Sequence, residues 1–269
     1  MPNYIQPFGL VLARVSFGVL FFTIFHRLFV KETIERQDFK LLALCALFGV
    51  AINQMMFLKG LNWTTPINAS LIMTTTPILV LVASAIYLKE VITIKKVIGM
   101  ILGGAGAVLL ITSGSTTGTA IGKFGDLLIF INAFSYGIYL VLVKSLLKKY
   151  HPFTVIRWVF TIGLVFVFPF GFEELSSVDW SEFSTKIWLA FGFVLIFVTG
   201  LAYLFNALSL TTLNASTVSF YIYFQPLLAA LIALLFAKDE ITWIKIVAGL
   251  LIFVGVYLVS SRRTQLQTK

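Results

Sequence analysis

Charge is scarce in this sequence, and acid is scarcer than base. Asp, Glu, Lys and Arg together make up 12% of 269 residues, with 20 basic against 11 acidic side chains. Soluble domains carry about 25% charged residues, so a water-facing surface cannot be furnished from this supply. Cysteine is nearly absent. The lone Cys45 sits in an apolar stretch, which excludes an intrachain disulfide and reads as a small buried hydrophobe. The two histidines, His26 and His151, are assigned to polar loops. No grouping of residues has metal-ligand spacing, no catalytic triad is visible, and no glycine-rich phosphate loop occurs. No metal, no catalytic residues, no cofactor and no enzymatic activity are therefore expected, and ATP drive is disfavoured. Acids are also missing from the middle of apolar stretches: Glu90, Asp126, Glu173 and Glu240 all lie near their ends. Coupling to protons through a buried carboxylate has no support in that pattern. A basic start and small-residue cleavage site of the signal-peptide kind are not evident.

Apolar residues fill the space that charge leaves. They amount to 59% of the chain, with a mean hydropathy of +0.99, against ~45–50% in soluble domains. One core cannot hide that much apolar surface, so lipid must be part of the solvent. About nine blocks approach the ~20 apolar residues a spanning helix needs: 8–29, 40–61, 68–88, 96–112, 124–145, 153–171, 187–206, 215–237 and 243–261. Runs such as LLALCALFGVA are continuous rather than alternating, which excludes a porin-like barrel. In lipid each block must satisfy its own backbone, so all are expected to be helices. The fold class expected is an all-α polytopic membrane protein.

The net charge of +9 does not point to nucleic acid, because the basic residues occupy short loops. Arg27, Lys31, Arg36, Lys40, Lys89, Lys95, Lys96, Lys144, Lys148, Lys149, Arg262 and Arg263 fall on one membrane face when sides alternate along the chain. The other face receives Lys123, Lys186, Lys238 and Lys245 and the acidic loop EELSSVDWSEF. The positive-inside bias makes the first face, and the C-terminus, cytoplasmic.

The chain repeats itself. NWTTPINASLIMTTTPILV in the first half matches SLTTLNASTVSFYIYFQPLLA in the second. Both carry Thr-Thr, Asn-Ala-Ser and a later proline, Pro77 or Pro226. Each continues to an acidic end (Glu90; Asp239 and Glu240) and a glycine-bearing last helix (Gly99, Gly103, Gly106; Gly249, Gly255). Upstream, Gln6-Pro7-Phe8 matches His151-Pro152-Phe153. The helices that follow carry Arg14 and Arg157, and a glycine eleven residues beyond each proline, Gly18 and Gly163. The repeats are 1–112 and 124–261, joined by 113–123 and followed by a tail, 262–269. Five helices in one unit invert the next, the architecture of many secondary transporters. The first unit supplies four helices and the second five. The opening MPNYIQPFGLVLAR thus reads as an inter-helix loop, and the natural protein is expected to begin one helix earlier. A groove is expected where that helix belongs, beside the polar residues of blocks 40–61 and 68–88.

These paired features resemble the drug/metabolite transporter superfamily, EamA type, over nearly the whole chain. The resemblance implies two inverted five-helix repeats around a central cavity. It implies secondary-active or facilitative export of small metabolites such as amino acids, by alternating access, from a cell (inner) membrane. A truncated or non-transporting scaffold is the alternative. The expected partners are a small-molecule substrate and the bilayer, with a homodimer contact as an alternative use of the packing glycines.

Polar side chains in apolar blocks are the candidates for the cavity, because lipid penalises them elsewhere. They are Asn53, Lys59, Thr75, Asn132, Ser135, Tyr136, Tyr139, Asn206, Tyr223 and Gln225. Asn132, Ser135, Tyr136 and Tyr139 recur at helical spacing, so they share one face. Lys59 matches Asn206; it either snorkels to the headgroups or contacts a carboxylate. Pro77 and Pro226 are candidate kinks or hinges. Gly99, Gly103, Gly106, Gly249 and Gly255 form small-residue surfaces suited to helix packing. Asn68 and Asn214 are expected to cap the helices they open, and Arg14 and Arg157 to anchor at the interface.

Overall fold

A computed structural model describes residues 4–64, 66–112, 122–225, 228 and 242–260. The candidate hinge Pro226, the acidic pair Asp239 and Glu240, and the tail lie outside the described residues. Among the described residues the chain is helical throughout and has no strand. The helices are α1 Pro7–Phe29, α2 Arg36–Trp63, α3 Pro66–Met73, α4 Thr76–Tyr87, α5 Ile94–Thr112 and α6 Gly122–Leu147, then α7 Pro152–Ser176, α8 Thr185–Thr212, α9 Ala215–Phe220 and α10 Trp243–Ser260. Five of them, α1, α2, α6, α7 and α8, are long and apolar enough to cross a membrane. Large apolar side chains such as Leu20, Ile86, Ile101, Val165, Leu189 and Phe253 point outward. On a helix in lipid, that is the favourable face for them.

Block 68–88 is divided rather than kinked. A turn at Thr74-Thr75 separates α3 from α4, and Pro77 falls in the first turn of α4. A proline there gives up an N–H that has no intrahelical partner in any case. Thr75 bridges the break by donating from Oγ1 to the Ile72 carbonyl at 2.7 Å. The matching region of the second half is also irregular, since α9 passes into a 3₁₀ turn at Tyr221–Tyr223.

Matching helices of the two halves pack against each other, and they run antiparallel. At one end of α1 the amides of Phe8 and Gly9 donate to Glu174 at the end of α7. At its other end Phe25 stacks on Phe153 at the start of α7, with centroids 5.8 Å apart. Gly18 leaves room for the Phe160 ring and Gly171 for the Phe8 carbonyl, so the two axes approach closely. The α5–α10 pair behaves the same way. Gly99 faces Gly255 and Val259, whereas Gly106 faces Ala248 and Ile252. The small-residue surface is thus used within the chain, and Gly249 is buried with it. Antiparallel pairing of equivalent helices is the arrangement an inverted repeat requires. The main apolar core lies among α1, α2, α6, α7 and α8, and a second, smaller one lies between α5, α10 and the Phe220–Tyr223 turn. Helices α4 and α9 join the two.

A Cβ added at Gly106 would lie 2.7 Å from the Ala248 carbonyl oxygen, and one at Gly255 would lie 2.7 Å from that of Gly99. Backbone atoms cannot swing aside as side chains do. Gly106→Ala and Gly255→Ala should each cost about 1–3 kcal/mol through overpacking. Gly192→Ala, with nothing within 4 Å of the new atom, should be neutral. Thermal denaturation followed by size-exclusion recovery of the solubilised protein measures both.

Candidate functional site

The site grows out of two defects in helical bonding. In α2 the stretch Leu47–Ile52 is wound as a π-helix, and so is Val194–Leu201 in α8. Lys59 and Asn206, matched by the sequence repeat, each stand twelve residues past the first residue of these stretches. The defect is therefore part of the repeat. A π turn displaces the i→i−4 register and leaves carbonyls seeking other donors. Inside a bilayer those donors must come from protein.

They come from α6 and α8. Asn132 donates from Nδ2 to the Asn53 carbonyl at 2.8 Å, and Ser135 from Oγ to the Phe48 carbonyl at 2.6 Å. Tyr203 donates from Oη to the Gly49 carbonyl at 3.2 Å. Gly49 must lack a side chain here, because a Cβ would fall 2.2 Å from the Tyr139 ring. In α8, Thr199 donates from Oγ1 to the Val194 carbonyl at 3.1 Å, and the same oxygen accepts from Arg14 Nε at 3.0 Å. Asn206 donates from Nδ2 to Tyr136 Oη at 2.7 Å.

A polar centre between α1, α2, α6 and α8 results. It unites Asn53, Asn132, Ser135, Tyr136, Tyr139 and Asn206 from the sequence expectation. Their roles differ from that expectation in part. Asn132 and Ser135 are 2% and 1% exposed and lock α6 onto α2, so they bridge helices rather than present themselves to a cavity. Tyr139 is enclosed against Gly49.

Four candidates lie elsewhere. Lys59 sits near the start of α1, its Nζ 5.3 Å from the Phe8 ring centroid and 4.8 Å from that of Trp63. This is a cation–π seat for a snorkelling lysine. Thr75 is spent on the α3–α4 break, Tyr223 is buried against Phe220 in the second core, and Gln225 is exposed.

Four residues take places that the sequence reading had not assigned them. Arg14 is no interface anchor: α1 begins at Pro7, so Arg14 stands two turns inside and only 8% exposed. Thr199 and Tyr203 went unremarked, although with Asn206 they fall at i, i+4 and i+7, one polar face in a strongly apolar stretch. Gln54 is 3% exposed, and it lies against the Tyr203 hydroxyl without a hydrogen bond of acceptable geometry.

At the basic end, α1 and α7 are tied through their flanks. Glu32 accepts from the His151 amide at 2.9 Å, and Arg157 Nη1 lies 3.2 Å from His26 Nδ1. His26 is thus a buried residue of the last turn of α1 and not a loop residue. Lys149 contacts Glu35 at 2.8 Å and Asp38 at 2.7 Å. Beside Lys149 the Glu35 carboxyl is held below its ordinary range, so this contact persists at neutral pH and is lost as pH falls through that lowered value. Asn214 stands at the start of α9 but makes no cap with its side chain. Glu90 takes that place, accepting from Ala215 N at 3.2 Å and Ser216 Oγ at 2.6 Å. The side chain of Asn68 lies outside the described residues.

A multi-pass helical membrane protein with antiparallel matching halves and a shared polar centre is the class that this geometry defines. The chain belongs to the EamA-like transporter family, which it matches over residues 1–112 and 123–261. It is similar to an uncharacterised transporter of Archaeoglobus fulgidus, 26% identical over 83% of this chain and 77% of the relative. The uncharacterised transporter YyaM of Bacillus subtilis is 27% identical over 86% of this chain and 76% of its own. One solved crystal structure superposes with a TM-score of 0.78 over 95% of this chain and 88% of that one, at 17% identity, which speaks to the fold alone. The family and these relatives are membrane transporters.

Ser135→Ala leaves the Phe48 carbonyl of a π turn without its donor. It should cost about 1–3 kcal/mol, the penalty of an unsatisfied buried polar group, with helix content unchanged. Thermal unfolding followed by circular dichroism reads both quantities.

Proposed function

We propose that the chain is a secondary carrier exporting small metabolites, amino acids among them, across the cell (inner) membrane by alternating access of its two repeats. The observation that carries this reading is the π-wound stretch at equivalent positions of α2 and α8, with polar side chains gathered between them. π-wound turns inside α-helices occur frequently at functional sites, and two such helices facing one centre give the halves a place to shift. Tyr136 and Asn206, joined across α6 and α8, are the proposed contacts to substrate. The basic end is taken as cytoplasmic, on the strength of the lysine and arginine asymmetry.

Purified protein in liposomes loaded with a labelled amino-acid mixture should accelerate efflux over empty liposomes. Tyr136→Phe and Asn206→Ala should lower that rate about tenfold or more at equal membrane abundance. Efflux at the empty-liposome rate for the intact chain would overturn the carrier reading. Orientation is separately accessible because Cys45 is buried and free. In cells, a maleimide that cannot cross the membrane should label Ser181→Cys from outside and Lys148→Cys only after permeabilisation. The reverse pattern would invert the topology.

A further inference from the structure

Arg14 is the one charged side chain at the polar centre, and it is buried without a counterion. Among the described residues no carboxylate lies within ion-pair distance of it. Its guanidinium has five N–H donors; Nε–H is taken by Thr199 Oγ1 at 3.0 Å, and the two terminal nitrogens have no partner among the described residues. Arg14 as a whole is 8% exposed. Enclosing a cation costs several kcal/mol unless an opposite charge meets it. Three other cations near helix ends are provided for. Lys144 donates to the Leu210 and Leu213 carbonyls, Lys96 pairs with Glu90, and Lys149 pairs with Glu35 and Asp38. Arg14 is held in position through Nε, and its forked side has no partner among the described residues.

Its surroundings point the same way. Thr199, itself fixed to the Val194 carbonyl, grips Nε and so sets the plane of the fork. Tyr203, one turn further along α8, neighbours both Arg14 and Gln54. The Gln54 amide is 3% exposed, and both its nitrogen and its oxygen lack a partner. A buried amide left unpaired on both atoms costs stability, and it adds a second unsatisfied polar group that Tyr203 also neighbours.

We infer that Arg14, oriented by Thr199, is the receptor for the carboxylate of a small water-soluble organic acid or amino acid. The terminal nitrogens of the guanidinium take the two carboxylate oxygens in bidentate fashion, the geometry a guanidinium fork fits and an ammonium does not. Gln54 stands near to accept or donate to a neighbouring polar group of the same solute. This deepens the carrier reading, and rests on it for the purpose of binding though not for binding itself.

The full-length chain in dodecyl maltoside, at constant chloride, tests the assignment by thermal shift. The probes are acetate, pyruvate and benzoate, each against its uncharged amide, with phosphatidylglycerol as a separate arm. Saturable stabilisation by at least one carboxylate and not by its amide is expected. Arg14→Gln should weaken that binding about ten- to a hundredfold, as loss of a charged hydrogen-bonding partner does. Arg14→Lys, which keeps the charge without the fork, should fall between, and Thr199→Val should weaken it less than Arg14→Gln. The comparison of carboxylate with amide on the unaltered chain holds even if Arg14→Gln does not fold. Equal response to acids and amides, no response to any of the three acids, or a response to phosphatidylglycerol alone that Arg14→Gln abolishes would each overturn the assignment. An acid-blind chain that still drives amino-acid efflux leaves the carrier reading standing. Acid binding without efflux supports this inference and removes the carrier reading.

Discussion

A carbonyl released from helical bonding inside a bilayer must find another donor, and in this protein most of the donors come from neighbouring helices. Two π-wound stretches create the demand. Asn132, Ser135 and Tyr203 meet it in α2, and Thr199 meets it in α8. Each of the three bonds to α2 fixes that helix to a neighbour at a single height, since a polar group moved by one turn in lipid has no water to fall back on. The packing of α6 against α2, the placing of Tyr139 against Gly49 and the orientation of Arg14 all follow from these few bonds.

The few acids do related work at the helix ends. Glu174 accepts from the first amides of α1, Glu32 from the amide opening α7, and Glu90 from the start of α9. In each case the carboxylate belongs to one repeat and the helix start to the other. A negative charge at a helix start meets both the unpaired amides and the positive end of the dipole. The sequence can therefore do without deep acids: the ones it has join the halves at the membrane surfaces, and apolar packing with close-approaching glycines joins them in between.

Much of the fold was legible in the sequence, for a simple reason. Lipid leaves the backbone one common solution, so among the described residues the apolar blocks translate into helices with little competition from other structures. Repeated features such as Pro7-Phe8 and Pro152-Phe153 revealed the internal symmetry, and odd helix counts revealed its inversion. The site was legible only in part. The spacing of Asn132, Ser135, Tyr136 and Tyr139 gave a polar face correctly, but spacing cannot distinguish a side chain that faces a cavity from one that serves a neighbouring carbonyl. Arg14 looked like an anchor because distance along the chain was read as depth. Thr199, Tyr203 and Asn206 carried a readable i, i+4, i+7 signal, masked by the strongly apolar residues around them.

By itself the amino-acid sequence determined the solvent, the helices, the repeat and the sidedness of charge, because each depends on composition and local order. The π winding of α2 and α8, the division of block 68–88 at Thr74-Thr75, the burial of Arg14 and the assignment of Glu90 to a helix in the other repeat were decided only in the tertiary structure. Arg14 meets Thr199 at a separation of 185 residues and Glu90 meets Ala215 at 125, while the carbonyls of α2 find their donors on α6 and α8. Such partners are not written in the neighbouring residues of the chain.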